Sequence, residues 1–180
     1  HIPITFPLIG SHKTLYVAFN PTTEGQSNRS KHIIDLIIMR LSGWMPYTSR
    51  FCLLDPSGLG SAFPYQGKLQ STRKGGNNDV ARTLESILDD IERIQTTVLS
   101  HDAPTLLDVD EDLRSGEPFE FIVAANFPHG YDRRACEALQ KIANIGANTG
   151  RYVIIQWDNT APLPHGISHK NFENLFSVTV

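Results

Sequence analysis

Residues 119–128 read Phe-Glu-Phe-Ile-Val-Ala-Ala-Asn-Phe-Pro. Phe121, Ile122, Val123, Ala124 and Ala125 leave little for water to face, so the run predicts a buried strand. Such strands belong at the centre of a parallel sheet covered by helices on both sides. Working outward, Thr14–Phe19, Arg50–Leu54 and Arg151–Trp157 read as further strands, with a short last one at Phe176–Val180. Ile2–Phe6 reads as another, broken by Pro3 and Pro7. Between them lie helical patterns. Ile33, Ile34, Leu36, Ile37, Ile38 and Leu41 predict a helix over Lys31–Leu41 that is apolar on most of its surface and buried, stopped by Gly43 and Pro46. Asp79–Ser100 is the clearest amphipathic helix, with Leu84, Ile87, Leu88, Ile91, Ile94, Val98 and Leu99 recurring at three and four residues. Asp132–Ile145 predicts a helix with Asp132 as N-cap and Gly146 as its stop. Ser57–Gly76 is loop-rich, Asp102–Glu117 is acidic and weakly structured, and Asn171–Leu175 reads as a short turn. Strands alternating with helices give an α/β fold with a mostly parallel sheet and helices on both faces.

Composition bounds the function. The 180 residues suit one ordinary domain with a sizeable core. A start at His1 rather than Met is expected of a domain cut from a larger multi-domain protein, or of a processed start. Hydrophobic residues make up 40% and charged residues 19%, as in soluble globular proteins. A net charge of −3 gives no global basic field, so any nucleic-acid contact should be local or shared among subunits. Cys52 and Cys136 lack metal-ligand or redox spacing and read as reduced, buried or half-buried thiols of a cytoplasmic protein. No apolar run reaches membrane-spanning length, and the N-terminus is not signal-like.

The carboxyl ends of strands are where α/β proteins place ligands. There the order of motifs carries a resemblance. Phe51-Cys-Leu-Leu-Asp55-Pro56, then Gly58-Leu59-Gly60, is similar to the second strand of the motor domain of FtsK/SpoIIIE-type DNA translocases. The helix with Asp90-Ile91-Glu92-Arg93 resembles that family's helix before the Walker B strand, and Phe121–Phe127 then takes the Walker B place. Ile142–Gln156 resembles the helix, glycine turn and sensor strand. Leu163-Pro164 to Phe176-Ser177-Val178 follows the layout of the closing strand. Together these cover nearly the whole chain. The resemblance implies a RecA-like P-loop core of a divergent, HerA-FtsK type, ring-like association and the handling of DNA or protein.

The site residues follow from it. A phosphate loop joins a strand to a helix whose N-terminal amides hold phosphate. The best register is Thr23-Glu-Gly25-Gln26-Ser-Asn28-Arg29-Ser30. Ser30 matches; Arg29 replaces the compact lysine ammonium with a planar fork. Thr23 and Asn28 stand where glycines belong, and Glu24 adds negative charge. An ordinary strand-to-helix loop capped by Ser30 or Asn28 is the favoured reading, with weak phosphate binding by a remnant as the other. In the Walker B place stands Ala125 or Asn126, neither of them acidic; an amide can orient a water but cannot take its proton. Asp132 and Glu120 lie off the strand tip. Gln156 or Trp157 takes the sensor position. Three catalytic elements altered together imply an ATPase module that kept the fold and lost hydrolysis, with a structural, regulatory or interaction role in a larger DNA-translocase or secretion-type assembly. The alternative is an active ATP-dependent translocase that borrows groups from a neighbouring subunit, with Arg29 and Ser30 on phosphate and Asp55 near magnesium. No cofactor is assigned beyond ATP and magnesium, should residual binding survive.

Lys68, Arg73 and Lys74 in the glycine-rich loop are candidates for contact with DNA or a partner, against the plainer account of solvated surface charge. Other constellations carry less. Leu59 spoils an Asp55-Pro-Ser57 metal motif. His165 and His169 flank Gly166 in a loop, so no metal is expected there. Ser57 and Ser61 lack the Gly-x-Ser-x-Gly setting of a nucleophile elbow.

Overall fold

A computed structural model describes residues 9, 14–56, 62–73, 79–114, 116–173 and 178–179. The predicted strand at Ile2–Phe6, the turn residues Ser57, Gly58, Leu59, Gly60 and Ser61, and Lys74 lie outside them.

Six strands form one sheet: β1 (Thr14–Phe19), β2 (Ser49–Leu54), β3 (Thr72–Arg73), β4 (Phe119–Phe127), β5 (Arg151–Asp158) and β6 (Val178–Thr179). Their order is β3-β2-β4-β5-β1-β6, and every pairing is parallel. β4 lies between β2 and β5, and all its residues except Asn126 are buried. The apolar run therefore does what its composition demands.

Helix α1 (Gln26–Trp44) covers one face through Ile34, Ile38 and Leu41, packed with Leu15, Val17, Phe51, Phe121, Val123 and Ile154. On the other face α2 (Val80–Thr97) and α4 (Arg133–Ile145) pack Leu84, Ile87, Ile91, Leu139 and Ile142 against Cys52, Ile122, Ala124, Val153 and Ile155. Each buried Leu or Ile contributes about 1.5–3 kcal/mol over an exposed one. α2 and α4 begin as their sequences predict: Asp79 accepts from the Arg82 amide at 3.0 Å and Asp132 from the Ala135 amide at 2.7 Å. Two short helices, α3 (Glu111–Arg114) and α5 (His169–Glu173), complete the described elements. The fold is the α/β, RecA-like P-loop arrangement that the resemblance implied.

α1 departs from expectation. It starts at Gln26, not Lys31, so Asn28 and Ser30 lie inside it and neither is its cap. Gly25 takes that place at φ 78°, a left-handed conformation that favours glycine. Gly43 does not stop the helix, which runs on to Trp44. Nor is α1 buried on most of its surface: Leu36 is 47% exposed and Met39 56%.

Candidate functional site at the carboxyl end of the sheet

β4 does not run straight to its tip. Its register with β5 shifts between Ala124 and Phe127, which pair with Ile155 and Trp157. β4 thus spends one more residue than β5 over this step, a bulge. Asn126 sits there at φ 51°, a conformation Asn tolerates better than most side chains. The bulge reverses the alternation: Ala125 packs on the α1 face, whereas Phe127 packs on the α2–α4 face. It also frees the Asn126 amide from the ladder, and that amide donates to Gln156 Oε1 at 3.2 Å.

Gln156 joins three of the predicted positions. Its Nε2 donates to Ser30 Oγ at 2.8 Å, and Ser30 Oγ donates to the Ser27 carbonyl at 2.8 Å. Ser30 and Gln156 are both buried. Residues that the sequence reading put in the phosphate-loop, Walker B and sensor places therefore meet in one hydrogen-bonded chain. Beside it is a cleft of about 170 Å³ lined by Ser27, Lys31, Asp35, Phe63, Asn126 and Gln156. Asp35 takes a 2.8 Å ion pair from Lys31 and a 2.7 Å hydrogen bond from the Tyr65 hydroxyl. Burial, then that hydrogen bond to a carboxylate, pushes the Tyr65 phenol well up from its ordinary range.

The loop from β1 to α1 is closed on itself. The Asn20 amide donates to Gln26 Oε1 at 2.9 Å and the Thr22 amide to Asn20 Oδ1 at 2.9 Å. Those of Thr23 and Gln26 donate to the carbonyls of Asn20 and Thr23. Thr23, Gly25, Gln26, Asn28 and Arg29 all lie at the surface, and none of them lines the cleft.

The remaining candidates scatter. Asp55 is buried just past the tip of β2, where Oδ2 accepts from the Ala62 amide at 3.3 Å. Lys68 is exposed on a single 3₁₀ turn, Gln66–Lys68. Arg73 is not free to contact phosphate. Its Nε donates to Glu120 Oε1 at 2.6 Å, and its guanidinium also pairs with Asp90. Arg50 donates to Glu120 Oε2 at 2.9 Å, and Arg151, fully buried, stands 3.8 Å from it. Register explains the cluster: Arg50, Glu120 and Arg151 are neighbours across β2, β4 and β5. Burial opposes the charge on Glu120, but hydrogen bonds from Arg73 and Arg50 outweigh it and hold the carboxyl below its usual range. Burial pushes the Cys52 thiol up to about 12, and Cys52 and Cys136 are free and buried.

Asp158, at the end of β5, was not among the candidates. Oδ2 lies 2.8 Å from His129 Nε2, and Oδ1 accepts from the Thr160 amide and hydroxyl at 2.9 and 2.7 Å. Burial again works against the charge, and these bonds lower the carboxyl all the same. The one signal in sequence was an Asp after an apolar strand, followed two residues later by Thr. Trp157 turns away from the cleft, where it meets Phe127 and Phe172 edge-on and stacks on His169. Among the described residues no three His, Cys, Asp or Glu side chains gather where a metal ion could be held, and no helix is long and apolar enough to cross a membrane.

Comparison with known proteins points one way. The fold is similar to a secretion ATPase domain. One similar solved structure is the cytoplasmic domain of the Thermomonospora curvata type VII secretion ATPase EccC, with a TM-score of 0.64 and 17% sequence identity. The match covers 96% of this chain and 21% of that one, so the domain spans about a fifth of the EccC chain it resembles. No protein-family model matches, and neither does any curated protein.

Proposed function

We propose that this domain is a P-loop-fold module of a larger secretion-type or DNA-translocase assembly, with a structural, regulatory or interaction role and little or no ATP hydrolysis. The observation that carries the proposal is the chain Ser27–Ser30–Gln156–Asn126. A hydroxyl at the end of a phosphate loop normally serves magnesium. Here Ser30 Oγ already donates to the Ser27 carbonyl and accepts from Gln156. Four amides of the preceding loop are likewise engaged within it. At the tip of β4 an amide stands where a carboxylate would hold magnesium through water or activate the attacking water. These residues do not fit a magnesium-bound triphosphate. The likeness to about a fifth of the EccC chain, a type VII secretion ATPase, supports a place within a larger assembly.

Titration with ATP and magnesium, followed by heat of binding and phosphate release, tests this. Neither saturable turnover nor a gain of turnover in Asn126→Asp is expected, because restoring one carboxylate leaves the loop closed. Turnover that Arg29→Ala abolishes would sink the proposal. It would support the second reading, an active ATPase completed by a neighbouring subunit. One observation favours that reading: the N-terminus of α1 has no side-chain cap and faces solvent, as an anion-binding helix end does.

A further inference from the structure

The outer face of α1 and the turn after it carry large apolar side chains that none of the described residues covers. Leu36, Met39, Trp44 and Tyr47 are 47%, 56%, 79% and 89% exposed, and Ile34, Ile38 and Leu41 lie on the opposite, buried side. On the helix, Leu36, Met39 and Trp44 span about 12 Å, and Tyr47 follows in the turn after it. Exposed apolar side chains scattered singly are normal; several large ones close together on one helix face are what a binding surface presents. Its charge is one-sided. Arg29 and Arg40 lie on the same side of α1, both exposed, and among the described residues neither has an ion-pair partner. Positions 29, 32, 36, 39, 40, 43 and 44 of α1, all exposed, include no Asp or Glu. The one carboxylate of α1, Asp35, is held by Lys31 and Tyr65. A chain with net charge −3 thus sets unpaired cations beside its exposed apolar side chains.

We infer that the outer face of α1 docks an acidic amphipathic α-helix of a partner protein. Leu36 and Met39, ahead of Trp44 along the helix, suit the Leu or Ile ridge of a helix laid along α1, and Arg29 and Arg40 suit Glu or Asp flanking that ridge. Trp44 is the expected anchor, since exposed Trp at such sites carries much of the binding energy. The inference rests on the reading of the domain as an interaction module, and it names the surface and the partner's chemistry.

The test uses the whole chain, labelled with ¹⁵N, and a helical peptide of about 20 residues with Leu at i, i+4 and i+7 flanked by Glu. Binding should shift the indole N–H signal of Trp44 and leave that of buried Trp157 in place. Leu36→Ala with Trp44→Ala should weaken binding at least about tenfold, read by anisotropy of the labelled peptide. Arg40→Glu should weaken it several-fold and lower its salt dependence. All these positions are exposed, so an unchanged thermal midpoint confirms folding. The inference is overturned if Trp44 does not shift, or if a Lys-flanked peptide binds as well. Dimerisation of the chain through Trp44 would also overturn it, and so would a single-stranded oligonucleotide that shifts Trp44 when the acidic peptide does not. Peptide failure with ATP turnover absent defeats only the docking inference; ATP turnover defeats the module reading, whatever the peptide does.

Discussion

Gln156 is bonded at both ends of its amide, to Ser30 on α1 and to Asn126 on β4. Replacing it by Leu removes a donor and an acceptor at once and leaves polar groups with little water to turn to. A loss of about 1–3 kcal/mol is expected for Gln156→Leu, measured by urea unfolding. Glu120→Gln is the sharper case at this scale. Glu120 is fully buried and satisfies Arg73 and Arg50 beside buried Arg151. Without its charge, and among the described residues, Arg73 and Arg50 keep only the Asp90 carboxylate and buried Arg151 only that of Glu117, and unfolding by urea should show a loss of about 3 kcal/mol. Neither residue's role could be read in the sequence. Arg73 stands in a glycine-rich loop, which reads as solvated surface, and its partner Glu120 is 47 positions away. Glu120 was set aside as off the strand tip, which is correct for catalysis and silent about the ion cluster.

The elements were far more legible than their ends. β4 and β5 are apolar on both faces because helices cover both, and α2 shows its buried side at a three-and-four spacing; local composition dictates each. The start of α1 was misplaced because Ser and Asn are common caps, whereas the deciding feature is the left-handed backbone at Gly25. The bulge at Asn126 was invisible because it depends on register with a strand thirty residues away. The α4 cap was legible, and it can be weighed: Asp132→Ala should cost about 1 kcal/mol by thermal or urea unfolding. Gly150, which leads into β5, makes a harder demand. It has φ 73°, and a Cβ there would lie 2.7 Å from Leu106 Cδ2 and 2.8 Å from Phe119 Cδ1. Gly150→Ala should therefore cost more than the roughly 1–2 kcal/mol of left-handed strain alone, as urea unfolding would reveal.

Across the whole molecule, acid should be the weakness. Glu120, Asp90 and Asp158 are each buried to some degree, and each is held below the ordinary carboxylate range by hydrogen bonds from Arg or His partners. A carboxyl whose pKa is lower folded than unfolded binds fewer protons in the native state. Its contribution is complete above the unfolded value, about pH 4, and is lost as pH falls through the lowered folded value. The urea midpoint should stay level above about pH 5 and decline steadily below pH 4. Glu120→Gln should flatten that acid limb, and a wild-type midpoint that is level down to pH 2.5 or so would contradict the assignment.

The order of the sheet also has a bearing on how the chain is made. β1 pairs with β5 on one side and β6 on the other, and both lie more than 130 residues further along the chain. Thr14 waits for Val153. Until β5 has been made, Leu15, Val17 and Phe19 have no strand to lie against, so this sheet must close late and over a long span of chain. Fragments ending before Arg151 should therefore strand an apolar N-terminal segment and precipitate or recruit chaperones, whereas losing an outer loop should do neither.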